Sequence, residues 1–363
     1  MGSTFELSFD DLTANQKAYY YKIEHMNYQW EPSSISSREY INGFQQNQIF
    51  NIDNSFNTLQ NYTHYKVSFP NEQTTILMSG NYQISILDET DIVLFKRRFV
   101  LFENNVHVGI EVKRSRDSRT TNQQQTVHFT INNPNFPINN PSEELKVIIL
   151  QNENWATKLS NIQPQFFKKN QFIYKYQNKT NFWAGNEYLN FDNTTIRNSS
   201  STIAKVKKHS VYHNYLHTQY ERANLPYTYA PDINGNFLIR TVEAPNPETE
   251  ADYAWVHFSL DLKEKISAPI FVYGAFNNYT FSPENRLKYN LETKKYEASI
   301  LLKQGFYNYQ FATMSSDNTF DTVKINGSFY QTENQYTIIV YYQPFGSEIF
   351  RALGVGKGNS QPQ

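Results

Sequence analysis

Apolar side chains recur at every second position through most of this chain, the period of a strand with one buried face. Phe5, Leu7 and Phe9 alternate with polar residues, as do Tyr65, Val67 and Phe69, then Tyr82, Ile84 and Ile86. The same period returns at Val127, Phe129 and Ile131, at Phe172, Tyr174 and Tyr176, and at Tyr307, Tyr309 and Phe311. Between Tyr296 and Lys303, Tyr296, Ala298, Ile300 and Leu302 alternate with Glu297, Ser299, Leu301 and Lys303. Leu145–Leu150 reads as a buried strand, Tyr253–Leu260 is largely apolar on both faces, and Ile270–Ala275 is an apolar, β-branched and aromatic run. Turn residues stop these runs at Pro70-Asn71, Gly80-Asn81, Asn277-Asn278 and Gln304-Gly305. Short strands at such intervals predict an all-β fold of tandem immunoglobulin-like or fibronectin-like β-sandwich modules.

At 363 residues the chain has room for about three modules of roughly 100 residues. The pattern divides it into an N-terminal module over 4–113, a middle module over 120–231 and a C-terminal module over 232–345. Lys113-Arg114-Ser115-Arg116-Asp117-Ser118-Arg119 reads as a charged, solvated joint between the first two. Gln335–Tyr342 reads as the closing strand of the third module. Residues 346–363, with Gly346, Gly354, Gly356 and Gly358, read as a flexible tail.

Composition narrows the function classes. Charged residues make up 18% and aromatics 16%, with 27 Tyr and 27 Phe, which argues for a packed core and against disorder. A net charge of −1 supplies no field to recruit nucleic acid or an anionic membrane. With no cysteine there is no disulfide, thiolate metal site or cysteine nucleophile. No run approaches the length of a membrane helix, and the N-terminus has no signal-peptide pattern. Met1-Gly2-Ser3 reads as an expression leftover, in which case a signal and a first strand would have been removed.

Candidate chemistry is sparse. His209, His213 and His217 are spaced by four, which would align three metal ligands on a helix. Their Tyr-rich surroundings favour a strand, where each step of four covers roughly 13 Å, too far for one ion. There is no H-E-x-x-H, nucleophile elbow, P-loop or dinucleotide fingerprint. The reading is therefore no enzyme, no cofactor, no metal and no small-molecule substrate. A cryptic metal-dependent hydrolase rests on the three histidines alone.

Gly274-Ala275-Phe276-Asn277-Asn278-Tyr279 and Gln304-Gly305-Phe306-Tyr307-Asn308-Tyr309-Gln310-Phe311 resemble the glycogen-binding and early-set immunoglobulin-like modules. That resemblance implies sugar stacking on exposed aromatics, with Tyr279 where a Trp is common, and makes a carbohydrate-binding module the alternative function. A wider set is more specific. It includes Tyr21-Lys22-Ile23-Glu24-His25, Ser79-Gly80-Asn81-Tyr82, Lys96-Arg97-Arg98-Phe99, Ala184-Gly185-Asn186-Glu187-Tyr188 and Gln343-Pro344-Phe345-Gly346-Ser347. Together these resemble the plug protein family of the type IX secretion system of Bacteroidota, over nearly the whole chain. The resemblance implies a periplasmic protein at the inner face of the outer membrane. It also implies a non-enzymatic role, binding the translocon barrel and sealing its periplasmic opening. Partner-contact candidates are Trp183, Asn186, Glu187, Tyr188, Phe345 and Arg351, side chains least explained by a core. The competing reading is that the Gly185 loop and the tail lock modules together.

Overall fold

The computed structural model describes residues 4–360, so Met1-Gly2-Ser3 and the last three residues of the expected tail lie outside the described residues. Strands dominate, and the helices among the described residues are single turns of three or four residues. The all-β expectation holds.

The first unit contains β1 (Phe5–Asp11), β2 (Tyr20–Met26), β3 (Thr63–Phe69), β4 (Gly80–Leu87) and β5 (Val93–Leu101). β1 and β3 join Asn51–Asn54 in one sheet, while β2, β4 and β5 join Gln46–Gln48 in the other. The alternating residues of both sheets meet between them, with Tyr21, Ile23, Tyr65, Phe69, Tyr82 and Ile84 buried. Aromatic contacts bind the layers: Phe5 lies 4.4 Å from Phe99, and Phe9 meets Phe95 edge-on at 5.2 Å. Such pairs contribute about 0.5–1.5 kcal/mol each beyond the area they bury.

The second unit starts with β6 (His107–Arg114), β7 (Gln124–Asn132), β8 (Leu145–Gln151), β9 (Asn154–Leu159) and β10 (Gln171–Tyr174). The third unit follows as β11 (Leu189–Asp192), β12 (Ile203–Lys208), β13 (Tyr212–Leu216) and β14 (Tyr253–Asp261). It continues through β15 (Ile270–Tyr273), β16 (Arg286–Asn290), β17 (Lys295–Lys303) and β18 (Gly305–Met314). These run in one sheet ordered β11-β18-β15-β16-β17-β14-β13-β12, with β13 and β14 parallel. That sheet encloses its own core around Phe191, Val256, Phe258, Val272, Tyr309 and Phe311.

The chain then returns to the second unit. β19 (Gln335–Tyr342) and β20 (Arg351–Asn359) complete a sheet ordered β9-β8-β19-β20. This arrangement corrects the segmentation expected from the pattern in four places, the first being that β11, β12 and β13, which fall in the expected middle module over 120–231, join the sheet of the third unit. β6 pairs with β7 along its whole length, so His107–Lys113 belongs to the second unit and the first ends with β5. β19 pairs with β8 from Leu145↔Tyr342 to Gln151↔Tyr336, so it closes the second unit and not the third. Within the supposed flexible tail, Arg351–Asn359 form a nine-residue strand paired with β19. Its glycines have a packing reason. A Cβ on Gly354, Gly356 or Gly358 would come within 2.7 Å, 2.6 Å and 2.9 Å of Val106, Val108 and Ile110 respectively. Glycine at every second position lets β20 press one face onto the start of β6.

The doubly apolar run of β8 is also explained. Val147 and Ile149 face the core of the second unit, while Ile148 and Leu150 enter a separate cluster with Ile339, Tyr341, Phe350 and Ala352. Tyr28 and Val100 of the first unit pack on that cluster. Trp30 adds to the contact: its ring meets Trp155 edge-on at 5.0 Å, and Arg98 lies over its face at 4.9 Å.

Candidate functional site

The structure separates the six partner-contact candidates. Asn186, Glu187 and Tyr188 are buried in the joint between the second and third units. Asn186 Nδ2 donates to the Asn326 carbonyl at 2.8 Å. The Glu187 carboxylate accepts from Tyr227 Oη at 2.5 Å and the Glu333 N–H at 3.2 Å, while its carbonyl accepts from Arg222 at 2.9 Å. Burial raises the Glu187 carboxyl above its ordinary pKa against those hydrogen bonds. The Tyr188 ring packs where a Cβ on Gly235 would stand 2.7 Å from it, and Gly235 has φ +80. These three side chains face inward, with the named polar atoms taken inside the chain, so they lock units together and offer no free contact surface.

Arg351 plays a similar part. Its Nε and Nη2 grip both oxygens of Glu103 at 2.9 Å and 2.6 Å, tying the start of β20 to the segment after β5. Trp183 and Phe345 are the two candidates left open, at 47% and 89% exposure. Trp183 ends a short strand paired with β7, and Phe345 sits in the loop between β19 and β20.

Tyr279 does not form a sugar platform. Its hydroxyl donates to the Asn152 carbonyl at 3.3 Å, and its ring tilts by 55° against Tyr273, which is fully buried. Stacking on a sugar needs an exposed ring face, and the neighbour that would extend it is in the core. Tyr279 does line an open cleft of about 560 Å³ where the three units meet, together with Trp155, Arg97 and Arg98.

The spaced histidines behave differently from the expectation. A tight turn brings the His209 ring to 4.7 Å from His213, so one of the two 13 Å steps does not occur. His217 is exposed beyond the end of β13. The actual partner of His213 is His257 on the neighbouring strand β14, with Nδ1 and Nε2 2.9 Å apart. His257 Nδ1 in turn lies 2.8 Å from Ser299 Oγ on β17. Burial and the neighbouring His213 hold His257 down to about 4. His257 therefore stays neutral near pH 7. Among the described residues no group of three or more His, Asp or Glu side chains has metal-ligand geometry.

Sequence reasoning missed a buried polar cluster that joins the first and third units. Lys303 Nζ on β17 reaches Asp10 Oδ2 on β1 at 2.6 Å and the Glu248 carbonyl at 2.7 Å. The ammonium also stands 4.1 Å from the centre of the Tyr62 ring. His64 Nδ1 lies 2.6 Å from Asp10 Oδ1, and Tyr253 Oη donates to Asp10 Oδ2 at 2.7 Å. Burial alone would raise the Asp10 carboxyl, but His64, Lys303 and Tyr253 outweigh it and hold it below the ordinary value. Close by, Asp252 accepts backbone N–H groups from Leu59 and Gln60. Beside this cluster a half-apolar cleft of about 470 Å³ opens between Phe9 of the first unit and Phe237, Leu238, Leu301 and Phe276 of the third. The only signal was an acidic residue on the second phase of β1, repeated by His64 on β3.

The large exposed rings are spread over the molecule. Phe44, Phe50 and Phe56 of the first unit are each about 70% exposed, and Phe166 and Phe167 stand on an edge strand of the second. The arrangement is one of interlocked β-sheet units with scattered exposed aromatics.

Comparison with known proteins agrees. Residues 1–103 match the family model described as "Type 9 secretion system plug protein 1st domain". No curated protein matches the chain. A crystal structure of a hypothetical protein from Parabacteroides merdae ATCC 43184 is similar over 98% of this chain and 91% of that one, at 34% identity and a TM-score of 0.94. The family match ends two residues past β5, where the first pair of sheets ends. By that match over residues 1–103, the chain carries the first domain of the type 9 secretion system plug protein family.

Proposed function

We propose that this protein is a non-enzymatic plug that docks on the periplasmic opening of the secretion system's outer-membrane translocon barrel and seals it. The family match over residues 1–103 carries this reading. The physical need is simple. A wide barrel with a polar lumen passes solutes unless something occupies one end. Three sandwiches locked by buried polar contacts make a rigid stopper, because a loose string of modules would leave gaps. Exposed aromatics are favoured anchors at protein interfaces, and Phe44, Phe50 and Phe56 present them on the family-matched unit. Location in the periplasm against the outer membrane follows from the same role. In Bacteroidota cells, the tagged protein should recover the large barrel on co-purification and mass spectrometry. Replacing Phe44, Phe50 and Phe56 together with Ser should weaken that recovery while the isolated protein still folds. Deleting the gene should let a large antibiotic cross the outer membrane. Recovery of polysaccharide or soluble proteins without the barrel would refute the plug.

A further inference from the structure

The basic stretch read from the sequence as a solvated joint is folded. Lys113 and Arg114 end β6, Arg116 follows in the loop to β7, and Lys175 follows β10 directly. With Thr126, His128 and Gln177 they line a concavity of about 280 Å³ that holds four cations and no carboxylate. Outside the lining, Glu111 pairs with Lys113 at 3.0 Å, and Asp117, which follows Arg116, is paired with Arg119 at 2.8 Å.

Arg114 is fixed by neutral partners. Its Nε donates to the Thr121 carbonyl at 2.9 Å, Nη2 donates to the Asn122 side chain, and its guanidinium lies 4.2 Å from the centre of the Tyr330 ring. That geometry holds the cation in place while leaving its charge unneutralised. Arg116 and Lys175 form no ion pair among the described residues. His128 Nε2 donates to the Tyr176 carbonyl at 3.1 Å, which leaves Nδ1 buried without a partner. A purely solvated charge run would diverge into water. Here residues from three separate segments converge on one hollow, in a protein whose net charge is −1. Converging guanidinium and ammonium donors with the Gln177 amide suit a multiply charged oxyanion better than a single carboxylate.

We propose that this hollow is a binding site for a phosphate group, carried by a soluble phosphate ester or by a lipid headgroup. The site lies on the second unit and does not depend on the barrel-docking reading.

The test uses the full chain and inorganic phosphate, titrated calorimetrically at constant ionic strength against chloride. Saturable binding is expected, and it should weaken roughly tenfold or more in the Arg116→Glu, Lys175→Glu double variant. Both side chains are exposed, so the double variant should melt like the parent. The conservative Arg116→Lys, Lys175→Arg pair should retain binding. Phosphate uptake equal to the chloride control, or unchanged in the charge-reversed variant, would overturn the site. Flotation with vesicles of phosphatidylcholine alone or mixed with phosphatidylglycerol identifies the source. Flotation on the anionic vesicles, lost in the charge-reversed variant, assigns a lipid headgroup. Phosphate binding without flotation assigns a soluble ester, and flotation unchanged by the charge reversal refutes the lipid source.

Discussion

At the scale of single residues, the strongest energetic claim falls on Asp10 and Lys303, which bridge the first and third units across 293 positions of sequence. Both side chains are more than 90% buried. Removing one partner leaves the other charge buried, which costs about 3–5 kcal/mol for such pairs, whereas removing both costs much less. Lys303→Met and Asp10→Asn should each lower the denaturation midpoint sharply, and the double variant should lose less than their sum. Additive single losses in that double-mutant cycle would show that the pair is not coupled. Little of this cluster was legible in advance. Periodicity marks which phase of a strand is apolar, and Asp10 and His64 sit on the polar phase, where a solvated face is the ordinary outcome. Burial came from docking a second sandwich there, which no local pattern encodes. His213 and His257 teach the same lesson: the sequence spacing drew attention to His209 and His217, but the hydrogen-bonded partner is 44 residues away.

At the scale of elements, the strand pattern was legible and the pairing was not. Alternation located β3, β4, β7, β10, β17 and β18, because each has one face in a core. The apolar double phase of β8 correctly signalled burial on both sides. The C-terminal strand was missed because its glycines look like a linker. Their spacing of two was the available sign, since glycine on alternate positions lets one strand face approach another closely. Deleting residues 351–363 tests this reading. A mobile tail would be dispensable. A paired strand that covers β19, contributes Ala352 and Leu353 to buried clusters and carries the Arg351–Glu103 fork would not. The truncated protein should lose several kcal/mol of stability. It should also open the second unit to protease at β6, the strand that Gly354, Gly356 and Gly358 press upon. An unchanged melting curve would return this segment to the status of a tail.

At the scale of the whole molecule, the three units are locked at each junction, so protonation in any one of them is felt as a loss of global stability. His25 lies in the first unit, buried, with Nδ1 2.9 Å from Ser33 Oγ, and burial pushes it down to about 4. Gly80, with φ +148, leaves the space its ring occupies, since a Cβ there would stand 2.5 Å from Nε2. The unfolded chain takes up that proton near the ordinary histidine value of about 6.5, while the folded chain resists until about 4. The stability from neutral His25 is thus fully present above about pH 6.5 and is lost as pH falls toward 4, at about 1.4 kcal/mol per pH unit. His257 in the third unit is shifted the same way but is half-buried, and solvent reduces its share. Asp10 acts later. Its folded value is held below the ordinary carboxylate value of 3.8, so its contribution survives the histidine window and disappears only as pH falls further. Urea midpoints measured from pH 7.5 downward should therefore decline first below about 6.5 and go on falling below about 4 as Asp10 takes up its proton. His25→Gln should flatten the first limb, and Asp10→Asn the second. A midpoint that stays level between pH 6.5 and 5 would mean that His25 titrates alike in both states, and the buried, neutral ring described here would be wrong.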